Sequence, residues 1–188
     1  MIEATLASAG VRPGDLGLIA VTVGPGSFTG VRIGLATARG LALALGVPLA
    51  GLTTIETLLA AATAADRRLM QTQQRRLLAA LDTHRGDYYI GFDDAPAPRV
   101  ADASLIAAQT NRALLVIGDG APTLCATLER SGIDAQPAEG PATPDAGVLA
   151  GLALQRGIDH WRTTNGSDGM PGPLYLRPAD VTLPRGQR

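Results

Sequence analysis

Apolar residues Ile2, Leu6 and Ala9 fall at i, i+4 and i+7, and Gly10 stands where a C-cap glycine belongs, so residues 1–10 read as the end of a helix. After the turn residues Pro13-Gly14-Asp15, the apolar run Leu18 to Val23, rich in β-branched residues, predicts a buried strand. Gly24-Pro25-Gly26 ends that strand, Ser27 is placed to cap, and a long apolar segment runs from Phe28 to Leu45 before Gly46 closes it. Val47–Leu52 predicts a second strand, and Thr53 or Thr54 caps a helix over 55–65. Strand, helix, strand and helix at these lengths form a parallel βαβα unit. The polar stretch Asp66–Arg76 interrupts the pattern and predicts a lobe boundary, dividing the chain into 1–66 and 67–188. Beyond it, Leu77–Leu81 and Tyr88–Phe92 predict a hairpin, and Asp94–Pro98 a loop. Ser104 then caps a short helix to Gln109, and Leu114–Ile117 is a strand. A helix follows over 123–131, a loop over 137–144, and a helix from Asp145 to about Arg156.

Composition removes several chemistries. All sixteen cations of the 188-residue chain are Arg, so no phosphate-loop lysine, Schiff-base lysine or lysine general base is available. Seventeen acids against sixteen bases give a net charge of -1, which argues against a free-standing nucleic-acid binder. Cys125 is alone, which forbids an internal disulfide and fits a reducing compartment; one Cys and two His, His84 and His160, do not make a Cys/His zinc site. No stretch reaches ~18 uninterrupted apolar residues, and no basic region leads into an apolar run at the N-terminus. The expectation is a cytoplasmic α/β protein with no membrane segment and a core of Ala, Leu, Val and Ile.

The segment Gly24–Gly34 (GPGSFTGVRIG) carries the strongest signal. A glycine-rich turn entering a helix N-terminus is either an anion site or a strand-to-helix turn that needs glycine dihedrals and a Ser27 cap. Between Phe28 and Leu45 the polar side chains are Thr29, Arg32, Thr37 and Arg39. At 100° per residue Arg32 and Arg39 fall within ~20° of each other, with Gly30, Gly34, Thr37 and Leu41 opposite them. A helix apolar nearly all round is buried either in its own domain or by a partner. Asp82, His84, Arg85 and Asp87 cluster at the expected hairpin tip, where an ordinary polar turn outweighs acid–base chemistry. Ser27 lacks a G-x-S-x-G frame, Cys125 has no paired His, His160-Trp161 reads as a partly buried aromatic pair, and Asp159 and Asp168 are too scattered for a metal site.

The run Val21–Gly34, continued by Gly40-Leu41-Ala42 and Pro48–Thr54, resembles the TsaB (YeaZ) family, in which GPGSFTGxRIG is a specific signature. Leu81-Asp82 with Arg85–Tyr89 is similar to that family's IDAR…G-E-V-Y hairpin, and Pro173–Arg177, which runs on to Pro178, is similar to its terminal P-x-YLR. The resemblance implies an actin/hexokinase-like (ASKHA, ribonuclease H-like) two-lobed α/β fold. It also implies a role in making threonylcarbamoyladenosine at tRNA position 37, as a non-catalytic subunit paired with a catalytic TsaD-type subunit and joined by a TsaE-type ATPase. ATP and metal are then expected on the partner subunits and no cofactor on this chain. The tRNA is touched indirectly, and a homodimer is expected when the chain is alone. Family pairing uses the helices that map to residues 1–10 and 28–45. Phe28, Thr29, Arg32, Ile33, Gly34, Thr37 and Leu41 are then expected at the interface, while Gly24, Pro25, Gly26, Ser27 and Gly30 shape the turn. The alternatives are an ASKHA-type kinase and a glycoprotease-like (M22) peptidase. The first needs a phosphate-binding hairpin and a catalytic carboxylate, and the second a pair of metal-binding His on one helix. Relatives open with a three-stranded meander before the first helix, so the first lobe is expected to lack roughly 40–50 residues, with the true start upstream.

Overall fold

The computed structural model describes residues 1–167 and 169–177; Asp168 and Pro178 lie outside the described residues. Two sheets organise the chain. The first pairs β1 (Ile19–Thr22) in parallel with β2 (Leu49–Leu52), joined by the crossover helix α2 (Phe28–Leu45). The second has the order β5-β4-β3-β6-β7, built from β3 (Arg76–Asp82), β4 (Tyr88–Phe92), β5 (Ala95–Ala101), β6 (Leu114–Ile117) and β7 (Ala135–Pro137). There β3, β6 and β7 run parallel, while β3, β4 and β5 form an antiparallel meander.

Each sheet is filled from both faces, as the near-continuous apolar strands require. In the first, Ile19, Val21 and Leu49 meet Ala38 and Ala42 of α2. Ala20, Ala50 and Leu52 point the other way, onto Leu149, Ala153 and Trp161. Those three belong to α7 (Ala146–Gln155) and α8 (Ile158–Ser167). In the second sheet, Leu78, Ala80, Ile90, Phe92, Leu114 and Val116 face α5 (Ala103–Ala108) and α6 (Ala121–Arg130), while Leu77, Ala79, Leu81, Leu115 and Ile117 face α3 (Thr54–Ala60) and α4 (Ala64–Thr72). The chain therefore crosses between the sheets twice: α3, early in sequence, lies on the second sheet, and α7 and α8, late in sequence, lie on the first. A cut at 66/67 follows the chain but not this packing, and it falls inside α4.

The polar stretch at 66–76 is helical through Thr72 rather than a break. Thr63 accepts from Asp66 N at 3.1 Å while Asp66 Oδ2 accepts from Thr63 N at 2.8 Å, a reciprocal cap that starts α4 despite its three charged residues. Thr53 and Glu56 cap α3 in the same way. The Asp94–Pro98 loop is corrected too: β5 begins at Ala95, and as an edge strand with a register shift opposite Ile90/Phe92 it tolerates Pro96 and Pro98. The short helix α5 is capped by Asp102, which accepts from Leu105 N at 2.8 Å, not by Ser104. The short β7 and the helix α8 are additions. Asn165 of α8 clasps the start of β2, accepting from Leu49 N at 2.7 Å and donating to Leu49 O at 3.1 Å, as a neighbouring strand would.

Trp161 is buried with its Nε1 donating to Ala153 O at 2.8 Å, and His160 stacks edge-on to it at 4.7 Å between centroids. Cys125 is buried on α6, and desolvation pushes its thiol from the ordinary value of 9.0 up to about 11. The native protein is therefore expected to resist iodoacetamide at pH 8 and to be alkylated at once in guanidinium, read by intact mass. The sign also sets a stability window: the thiol is neutral in the fold, so its contribution holds below pH 9 and is lost as pH climbs to about 11.

Candidate partner-binding face and inter-lobe cleft

The turn before α2 is built as its residues dictate. Gly24 has φ +105°, which L side chains rarely adopt, accepts from Thr54 N at 2.9 Å, and is crowded, since a Cβ would sit 3.3 Å from Leu174 O. The Gly24–Pro25 bond is cis. Ser27 caps, its Oγ accepting from Gly30 N at 3.4 Å, and at the far end Gly46 takes φ +65°. Gly26 is exposed, and a Cβ at Gly30 would make ordinary contact with Ser27.

The 18-residue helix α2 buries Leu35, Ala38 and Ala42, with Val31, Gly34, Leu41 and Leu45 half-buried beside them. That stripe lies on β1 and β2. Gly34 and Leu41, expected at an interface, are on the sheet side; a Cβ at Gly34 would reach Val21 Cγ2 at 4.0 Å. The opposite side is open. Thr29, Ile33, Ala36, Thr37, Gly40 and Leu43 form an uncharged strip of small and aliphatic side chains, with Ile33 62% and Leu43 76% exposed. Helix α1 (Ile2–Ala9), closed by Gly10 at φ +66°, has no buried residue, and Ile2 is exposed. Periodicity locates the strip only once the sheet side of α2 is known, which is why Ala36, Gly40 and Leu43 escaped the sequence reading. By length and hydropathy (1.2 over 18 residues) α2 could cross a membrane; its packing on β1 and β2 makes it the covering layer of a sheet.

One flank is already covered. Arg32 and Phe28 are exposed, yet Arg32 Nε donates to Tyr175 Oη at 2.8 Å and its guanidinium lies 3.4 Å from the centre of the Phe28 ring. Arg39, on the same flank, donates to Pro171 O. The shared face of the two Arg thus holds the chain's own C-terminal segment.

Beside this flank lies a cleft of about 1060 Å³ between the lobes. The C-terminal ends of β1, β3 and β6 open into it at Thr22, Asp82 and Asp119, the place where parallel sheets present side chains to a ligand. The acidic residues there hold the turns together, two through backbone amides and one through side chains. Asp119 Oδ1 accepts from Asp82 N at 3.0 Å, Asp82 Oδ1 accepts from His84 N at 2.7 Å, and Asp87 takes the Thr83 hydroxyl and Arg177. His84, at φ +57°, has Nδ1 3.6 Å from Asp82 Oδ2. This is turn chemistry. Among the described residues no three His, Cys, Asp or Glu converge as metal ligands, and the two His stand on different elements, the β3–β4 turn and α8.

Comparisons with known proteins add to this geometry. A family model described as "TsaD: tRNA N6-adenosine threonylcarbamoyltransferase" matches residues 1–109. The tRNA threonylcarbamoyladenosine biosynthesis protein TsaB of Escherichia coli is 40% identical over 89 residues, 47% of this chain and 36% of the relative. A tRNA N6-adenosine threonylcarbamoyltransferase of Magnetococcus marinus is 55% identical over 49 residues, 26% of this chain and 14% of its own. The chain thus covers about a third or less of these curated relatives. A crystal structure from Pseudomonas aeruginosa, of a protein described as similar to peptidase YeaZ, superposes with a TM-score of 0.66 and 26% identity, covering 94% of this chain and 81% of that one.

Proposed function

Because the chain belongs to the family described as TsaD: tRNA N6-adenosine threonylcarbamoyltransferase, and within it to the TsaB (YeaZ) members with their actin-like α/β fold, we propose that it is a non-catalytic subunit that binds and supports a TsaD-type transferase. The reaction served is formation of threonylcarbamoyladenosine at tRNA position 37, in the cytoplasm. In this reading ATP and metal sit on the partner subunits, a TsaE-type ATPase joins the pair, the tRNA is reached through the complex, and the free chain pairs with itself.

The observation that carries the reading is the open strip of α2. Eighteen residues of helix bury three, and the exposed side presents Ile33, Ala36, Thr37, Gly40 and Leu43 without a charge. Small side chains at Ala36 and Gly40 let another helix approach closely, and the aliphatic groups beside them gain by leaving water. The Asp82–His84 group supports the same reading, since Asp82 Oδ1 is taken up by the backbone N–H of His84 within the turn.

The test is titration of this chain against its TsaD homologue. Ile33→Arg is expected to weaken the complex at least about tenfold with little change in thermal stability, because the new charge meets an apolar partner while Ile33 is mostly exposed in the free chain. An intact complex would overturn the assignment. Gly34→Arg instead places its side chain on the half-buried sheet side of α2, beside Val21, and so mixes packing with partner effects.

A further inference from the structure

The segment ending in Pro173-Leu174-Tyr175-Leu176-Arg177 has no part in that reading, yet it is an irregular stretch tethered to both sheets. Residues 170–177 are held at four points. Arg39 Nε and Nη2 donate to Pro171 O at 3.0 and 2.7 Å, and Nη2 reaches Met170 O at 3.1 Å. Leu174 N donates to Val23 O at 2.8 Å, just past β1. Tyr175 Oη accepts from Arg32, and the Tyr175 and Phe28 rings lie 6.2 Å apart. Arg177 pairs with Asp87 at the β3–β4 turn, with its guanidinium 6.0 Å from the Tyr89 ring. Three anchors are on the first sheet and its helix; the fourth is on the second sheet.

The fold makes room for this path. A Cβ on Gly51 of β2 would lie 2.5 Å from Pro171 Cβ, and a Cβ on Gly24 would lie 3.3 Å from Leu174 O. Bare backbone is required where the segment crosses β2, and favoured where it passes Gly24, as for any close approach of two chains. Phe28 and Arg32 are long, exposed side chains at the first turn of α2, bordering the open strip. Left free, both would lose rotamer freedom when a partner arrives, and holding them beforehand removes that cost.

We propose that Tyr175 and Arg177 are positioning residues: the 170–177 segment is a strap that fixes Phe28 and Arg32 at the edge of the partner face and ties that edge to the β3–β4 hairpin of the other lobe. The inference rests on the partner-binding reading for its consequence, but the strap itself can be read without a partner. Ordering two such side chains corresponds to about a five- to hundredfold gain in affinity.

The test uses the full chain with its TsaD homologue and two conservative changes. Tyr175→Phe keeps the ring and removes the acceptor of Arg32. Arg177→Gln cuts the tie to Asp87 and touches nothing on α2. Each is expected to weaken the complex about fivefold or more, to speed amide exchange at residues 28–32, and to move the melting temperature by no more than about 2 °C. A double variant is expected to lose less than the product of the two, since one strap is released. Unchanged exchange at 28–32 in Arg177→Gln overturns the proposal. So does unchanged affinity in both variants where Ile33→Arg breaks the complex, a result that leaves the partner reading standing. Should Ile33→Arg also leave the complex intact, the partner reading fails, and faster exchange at 28–32 still supports the strap.

Discussion

Asp66→Ala is expected to lower the unfolding free energy by about 3–5 kcal/mol, measured as a drop in the guanidinium midpoint at constant slope. Asp66 is completely buried at the first turn of α4. Its carboxylate accepts from Thr63 N at 2.8 Å, Thr63 Oγ1 at 2.9 Å, Glu139 N at 2.8 Å and Gly140 N at 3.1 Å. Two of these donors start a helix and two belong to the loop after β7, so one side chain joins segments more than 70 residues apart. Alanine removes the acceptor and leaves all four donors without it in a site closed by Ile117 and Ala61. Each stranded donor costs about 1–3 kcal/mol, reduced where water can enter. Asp66→Asn keeps one carbonyl oxygen and turns an amide toward the remaining donors; about 2 kcal/mol is expected. The loop at 139–140 leads to Thr143 and Pro144 on the rim of the cleft, so its release is expected to accelerate exchange there as well. A loss below about 1 kcal/mol would show that the carboxylate is replaceable by water.

Gly118→Ala is expected to cost about 3–6 kcal/mol and to cut soluble yield sharply, read by chemical denaturation of whatever folds. Gly118 ends β6 at φ +113°, a conformation that L side chains rarely adopt, and a Cβ there would lie 2.3 Å from Ala80 O of β3. The contact is with backbone, so no side-chain rotamer relieves it. The loop cannot move away, because Gly120 N donates to that same Ala80 O at 3.1 Å and a Cβ at Gly120 would press on the Tyr88 ring. The tight passage delivers Asp119 to Asp82 N and sets the cleft wall. Wild-type stability in the alanine variant would mean that β6 can slide relative to β3.

The sequence spoke clearly where one local device fixes one local feature. Gly10, Ser27 and Gly46 close helix ends that depend on nothing distant, and the edges of α2 follow from them to the residue. The β3–β4 hairpin followed from two apolar runs around a polar turn. The errors share a physical cause. Asp66 read as the start of a polar break between lobes because its partners at 139–140 are remote in sequence. Pro96 and Pro98 looked like a loop because edge position, which excuses proline, is a property of the assembled sheet. For the face of α2, helical geometry ordered the residues around the axis correctly, but which arc meets β1 depends on the register of a sheet that periodicity cannot see. The role of Arg32 was hidden for the same reason: its acceptor Tyr175 lies 143 residues away.

The proline-bearing edge strand has a further meaning for how copies of this molecule can meet. The five-stranded sheet ends on one side in β5, where Pro96 and Pro98 withhold amide protons, and on the other in β7, three residues long and finished by Pro137. Neither border offers the ladder of donors and acceptors that another chain's strand would zip onto. Growth of fibrils through this sheet is thereby discouraged at both ends, and crowding is steered toward side-chain surfaces, where encounters are selected by shape rather than by the generic hydrogen bonding that every polypeptide shares.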